Sequence, residues 1–136
     1  LAVSWEREEN AVKCVLAFSA LLVLGTLVAG DVRGLEIQVG PRTLVVSSGG
    51  DHVTVHTDFQ GWPESESLLE IAPEGGATTT VTIVDEFLDD CGFYVVRCNR
   101  QAAAAAVGEF QGKQTTAIVT LTVEGNRGVE VIAVRK

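Results

Sequence analysis

Four carboxylates fall within six residues of this chain: Asp85, Glu86, Asp89 and Asp90. Calcium takes about six to eight oxygen ligands, and a loop can supply them from carboxylates and carbonyls. The cluster is therefore a candidate calcium site, the one cofactor the residues suggest. Its spacing lacks the alternation of a dedicated calcium loop. A solvated turn uses Asp for its tight geometry alone.

His52 and His56 have the i, i+4 spacing that zinc sites use on a helix. The residues around them alternate apolar and polar instead, as a strand does. On a strand the two imidazoles share a face but stand about 13 Å apart, too far for a shared zinc ion. Ser47 and Ser48 lie in a turn, with no Gly-x-Ser-x-Gly elbow around them. No glycine-rich phosphate loop precedes a helix. The chain is expected not to be an enzyme.

Trp62 sits beside Gly61 and Pro63 in a loop. A Trp at the rim of a β-sandwich can stack on a sugar ring or cover the open end of the core. Tyr94 is the other aromatic residue that could contribute to a sugar surface. Three cysteines remain, Cys14, Cys91 and Cys98. Cys91 and Cys98 are the pair for a disulfide in an exported domain. If Phe93–Arg97 is a strand, seven steps put their Cα atoms about 20 Å apart, and a disulfide needs less than ~7 Å. Only a tight hairpin would let them bond.

The elements that would position these groups follow from alternation. Leu35–Val39, Thr43–Ser47, His52–Phe59, Leu68–Ala72, Thr78–Val84, Phe93–Arg97, Thr115–Glu124 and Val129–Val134 read as strands. Ala117, Val119, Leu121 and Val123 should share one inward face, and Val81 and Ile83 should also point inward. Residues 60–66 read as a loop and 85–92 as an acidic connection. Gln101–Gly108 carries five consecutive alanines and reads as a helix, with Asn99 as its N-cap and Gly108 as its stop. Gly125–Gly128 reads as a hairpin turn. Ten threonines, among them Thr54, Thr57, Thr80, Thr120 and Thr122, suit polar strand faces. An exposed strand edge could also add a partner's strand. About seven to eight strands with one short helix predict an all-β fold, an immunoglobulin-like antiparallel β-sandwich.

Residues 14–30 contain no charged side chain. This run suits a hydrophobic N-terminal helix: a cleaved signal, a membrane anchor or a filament-core helix. Ala29-Gly30-Asp31 offers small residues for signal cleavage. Glu6, Arg7, Glu8, Glu9 and Lys13 give the flank a net −1, whereas a signal expects a positive one. Initiation at Val12 would leave Lys13 and the apolar run, an ordinary signal. The expected organisation is a hydrophobic segment over 1–30 and a sandwich over 31–136. The chain carries a net −8 overall. The domain, with 15 acids and 8 bases, repels phosphate backbones, so nucleic acid is not an expected partner.

Pro41-Arg42-Thr43-Leu44-Val45-Val46-Ser47-Ser48-Gly49-Gly50-Asp51-His52-Val53-Thr54-Val55-His56 resembles the opening of small immunoglobulin-like accessory domains of exported bacterial and archaeal proteins. Thr120-Leu121-Thr122-Val123-Glu124-Gly125 matches their Thr-Leu-Thr-Val-x-Gly strand. The resemblance spans about residues 35–136. Such domains often carry an Asp-x-Asp-Gly loop, and Leu88-Asp89-Asp90-Cys91-Gly92 departs from it. The resemblance implies a secreted or cell-surface module that contacts an extracellular or envelope protein. An apolar helix before a sandwich is also similar in architecture to archaeal pilins and flagellins, which implies self-assembly into a filament. A carbohydrate-binding module using Trp62 is the third expectation. Membrane contact follows only if the N-terminal helix is retained.

Overall fold

Period-two alternation builds almost every element of the molecule, seen in a computed structural model that describes residues 34–47 and 50–136. Nine strands and one helix form among the described residues. They are β1 (Ile37–Gly40), β2 (Thr43–Val45), β3 (His52–Gln60), β4 (Leu68–Pro73), β5 (Thr79–Val81), β6 (Ile83–Leu88), β7 (Phe93–Asn99), α1 (Arg100–Val107), β8 (Gln114–Val123) and β9 (Asn126–Arg135). The predicted segment 1–30, with Cys14, lies outside the described residues.

The strands form two sheets. Sheet 1 has the order β1-β3-β7-β6 and sheet 2 the order β2-β9-β8-β4-β5. All neighbours are antiparallel except β2 and β9, which run parallel. The chain crosses from sheet 1 to sheet 2 between β1 and β2, at a cis Gly40–Pro41 bond. The sheets stack face to face. Val39, Val53, Val55, Tyr94, Val96 and Cys98 from sheet 1 meet Leu44, Leu69, Ile71, Val119, Leu121 and Val134 from sheet 2. Burying each aliphatic side chain of this kind contributes about 1.5–3 kcal/mol, so the inward face of each strand sets its register.

The predicted inward set of β8 stands as expected: Ala117, Val119, Leu121 and Val123 are buried. Other expectations need correcting. The single ribbon over 78–84 is two strands, β5 in sheet 2 and β6 in sheet 1, with the switch at Thr82. Both Val81 and Ile83 still turn toward the inter-sheet space, so the alternation survives the change of sheet. The acidic connection is shorter than expected because β6 continues through Asp85 and Glu86 to Leu88. Thr57, read as a solvated strand residue, is fully buried. Its hydroxyl donates to the Tyr94 carbonyl at 2.6 Å and accepts from the Phe59 N–H at 3.1 Å. Those bonds satisfy the backbone where β3 and β7 change register between His56 and Gln60.

The helix ends as expected. Gly108 has φ 73 and its N–H reaches the Ala104 carbonyl, a conformation that glycine adopts without a Cβ penalty. Its start differs. Asn99 occupies the N-cap position but its side chain makes no capping bond. The Arg100 N–H donates to the Asp51 carbonyl instead. Ala103 and Val107 are the helix residues that enter the core. The β8–β9 turn is centred on Glu124 and Gly125, both with positive φ. A two-residue turn of this kind matches the strand twist, and its centre lies two positions before that of the predicted Gly125–Gly128.

Candidate functional site

The structure separates the residues that the sequence grouped as a calcium site. On β6, Asp85 and Glu86 point to opposite sides, because successive strand residues alternate. Asp85 faces outward, 3.5 Å from Arg97. Glu86 faces the inter-sheet rim and accepts a hydrogen bond from the Tyr94 hydroxyl. Asp89 turns back on its own chain and accepts from the N–H groups of Cys91 at 2.8 Å and Phe93 at 3.0 Å. Asp90 is exposed. The four carboxylates do not converge, and the described residues hold no group of three metal-ligating side chains.

The pairing of Cys91 with Cys98 is likewise corrected. Cys98 is a free thiol, fully buried in β7. Burial pushes its pKa up to about 11, which suppresses the reactive thiolate. His52 and His56 both lie on the outer side of β3, as the alternation required.

Trp62 stands at the rim, 58% exposed, with its ring edge-on to Tyr94 at 6.2 Å between centroids. Tyr94 itself is fully buried and meets Phe59 edge-on at 6.4 Å. The two rings are inclined at 66°, so they form a packed corner rather than a flat platform. The Tyr94 hydroxyl lies 3.0 Å from Ser67 Oγ and donates to Glu86. Desolvation, and then the bond to Glu86, push the Tyr94 pKa up to about 12. This network borders a groove of about 380 Å³ between β5 and β6, lined by Ser67, Thr80, Thr82 and Glu86 among others. A buried Tyr needs a partner for its hydroxyl. The inward parity of Tyr94 was therefore the signal for this network, although it did not name Glu86 or Ser67.

The most exposed apolar surface lies elsewhere, on the outer face of sheet 2. Val131 pairs with Ile118, and Ile118 with Ala72. Val129 follows in the next outward row, opposite Thr120, which pairs with Glu70. Val131 is 60% exposed, Val129 56% and Ile118 42%. The other outward residues of β8 near this row are Thr116, Thr120 and Thr122. Outward on the three central strands the charged side chains are Glu70 on β4, and Arg127 and Arg135 near the ends of β9, while Glu130 of β9 turns toward sheet 1. Glu74, just past β4, accepts from the Thr116 hydroxyl at 3.2 Å. Sequence reading missed this patch. Its signal was Val129-Glu130-Val131-Ile132-Ala133-Val134, in which both parities carry apolar residues.

The outer face of sheet 1 is built differently. Phe93 and Val95 point away from the inter-sheet core, yet both are buried. Arg97 lies over the Phe87 ring at 4.6 Å while pairing with Asp85. Asp58 accepts the Glu36 N–H at 3.0 Å. The edge of β1 is partly closed, because Glu130 reaches across from β9 to accept the Val39 N–H at 2.6 Å.

No helix among the described residues is long and apolar enough to cross a membrane. A scan of protein-family models and searches of curated proteins and of solved structures return no match to this chain.

Proposed function

We propose that this chain is a non-catalytic, exported contact module built on an immunoglobulin-like sandwich. The strand order supports the fold assignment. In such domains one sheet runs A-B-E-D and the other contains G-F-C, with extra strands added at the C edge. The order β1-β3-β7-β6 fits the first, and β9-β8-β4-β5 fits the second with one added edge strand. The uncharged run over 14–30 supports export. The observation that carries the functional reading is the exposed row of Val131 and Ile118 on a domain that is otherwise acidic. Such patches on soluble domains mark surfaces that meet another molecule.

The contact surface is then the outer face of sheet 2 more than the strand edges. At the β1 edge, Glu130 already takes the Val39 donor that an added strand would need. The partner is an extracellular or envelope protein, or a second module of the same kind.

Mass determination of the native protein's N-terminus, combined with protease shaving of intact cells, tests export. A mature start at Gly30 or Asp31 with surface accessibility is expected. A retained 14–30 segment in a high-molecular-weight assembly would replace this reading with the filament subunit. An intact N-terminus in the cytosolic fraction would end it.

A further inference from the structure

We infer that the open edge of β6 takes up an extended segment of a partner protein, with a Lys or Arg side chain of that segment seated on Glu86. The inference rests on the contact-module reading and adds to it a second surface with a stated ligand chemistry.

The sheet edges are not alike. Strands β2 and β5 are three residues long, and Glu130 closes part of the β1 edge. Strand β6 runs for six residues. From Asp85 to Leu88 it pairs with β7 in unbroken register. In an antiparallel ladder alternate residues exchange both backbone bonds with the neighbouring strand. The Asp89 N–H donates to the Phe93 carbonyl at 2.9 Å, which continues the same register. Asp85 and Phe87 therefore bond to β7, and the N–H and C=O groups of Glu86 and Leu88 face the open edge. These are the backbone groups that an added strand uses.

The side chains decide which strand fits. Glu86 and Leu88 lie opposite Val96 and Tyr94, so both turn toward the inter-sheet space. Leu88 packs against the core. Glu86 is held by the Tyr94 hydroxyl, which Ser67 Oγ supports from 3.0 Å. Among the described residues no basic side chain pairs with Glu86. Strand β5 pairs with β4 only over Leu69–Ile71 and then leaves sheet 2. The gap beside Glu86 is the groove of about 380 Å³, lined by Glu66 and by the hydroxyls of Ser67, Thr80 and Thr82, with no base in its lining.

A strand laid along β6 would cover Glu86. An apolar side chain at that point would leave the carboxylate buried without a partner. Inward charges of this kind are a means by which edges refuse unwanted strands. A Lys or Arg there meets Glu86 with opposite charge and reaches the groove hydroxyls. An apolar residue two positions along covers Leu88. The edge thus selects a basic-x-apolar segment. With 15 acids and 8 bases over residues 31–136, the domain also attracts a basic segment from a distance.

An NMR titration of the full, isotope-labelled chain with the peptide acetyl-Thr-Val-Thr-Arg-Thr-Val-Thr-amide tests this. The Glu86 and Leu88 amides should shift, saturate below about 1 mM, and exchange more slowly with solvent. Replacing the peptide's Arg by Val or by Glu should weaken binding at least about tenfold. Glu86→Gln should do the same while keeping an acceptor for the Tyr94 hydroxyl. N-methylation of the peptide's Arg should abolish binding, because that N–H bonds to the Glu86 carbonyl. No saturable shift at Glu86 and Leu88, equal binding of the Arg and Val peptides, unchanged binding to Glu86→Gln, or indifference to N-methylation would overturn the proposal. Shifts that fall on Ile118 and Val131 instead would also overturn it and move the peptide to the outer face of sheet 2. Export is read from the N-terminus and cell location, so a failure here leaves the contact-module reading in place.

Discussion

On the outer side of sheet 1, Arg97 is held between Asp85 and the Phe87 ring, and Val95 is fully buried. On the outer side of sheet 2, Val131 holds the corresponding outward position on its strand and is 60% exposed. Both valines satisfy the same alternation and the same β-propensity. What differs is what surrounds them. Strand β7 is buried on both sides, with Phe93, Tyr94, Val95 and Val96 all inside. Strands β8 and β9 bury one side only. Stability is thus concentrated in β7, and the outer face of sheet 2 is left available for contact.

The harshest way to break that comparison is to place a charge in β7. Val95→Asp should lower unfolding stability by at least about 3 kcal/mol, because an unpaired buried carboxylate has lost its water. Urea denaturation of the full chain measures this, and wild-type stability would show that β7 has only one buried side. A second perturbation asks how tightly the two sheets are locked. A Cβ on Gly128 of β9 would sit 2.5 Å from Ile37 Cγ2 and 2.7 Å from the Leu35 carbonyl. Gly128→Ala should therefore cost about 1–3 kcal/mol through overpacking, visible as a lower melting temperature.

A third measurement probes the Tyr94 corner by pH. The chain contains one tyrosine, so phenolate absorbance reports Tyr94 alone. Its folded pKa of about 12 lies above the ordinary value of 10.0. The neutral phenol is thus favoured by folding. Its contribution is complete below pH 10 and is lost as pH rises toward 12. Phenolate absorbance should appear near pH 12 in the folded protein and near pH 10 in denaturant. Coincident curves would mean that the hydroxyl is not desolvated. Cys98 adds an earlier alkaline loss, from its ordinary 9.0 toward 11, and Cys98→Ala should remove that part of the pH dependence. The smallest effect is expected where the comparison predicts indifference. Val131→Thr should change stability by no more than about 0.5 kcal/mol, as surface substitutions do.

The fold was largely legible in the sequence wherever a strand buries one side. Residues 115–123 show this best, because Ala117, Val119, Leu121 and Val123 fall on one face and threonines hold the other except at Ile118. Legibility failed where a strand is buried on both sides or where tertiary partners override local preference. Phe93–Val96 has no alternation to read, since every residue is covered. Asp85 and Glu86 look like loop residues because carboxylates are poor strand formers. They are held in β6 by Arg97 and Tyr94, which come from a neighbouring strand. The split of 78–84 left no trace, because Val81 and Ile83 face the same inter-sheet space from opposite sheets. The candidate contact face was half visible. Its threonines were read as solvated, but Ile118 and Val131 among them emerge as neighbours only once β8 and β9 are placed in register.

The openness of that face is tested most directly by methyl NMR of the full chain with a soluble nitroxide. Ile118, Val129 and Val131 should broaden together, while Val95 and Val96 stay sharp. Broadening of Val95, with Ile118 and Val131 unaffected, would contradict the account.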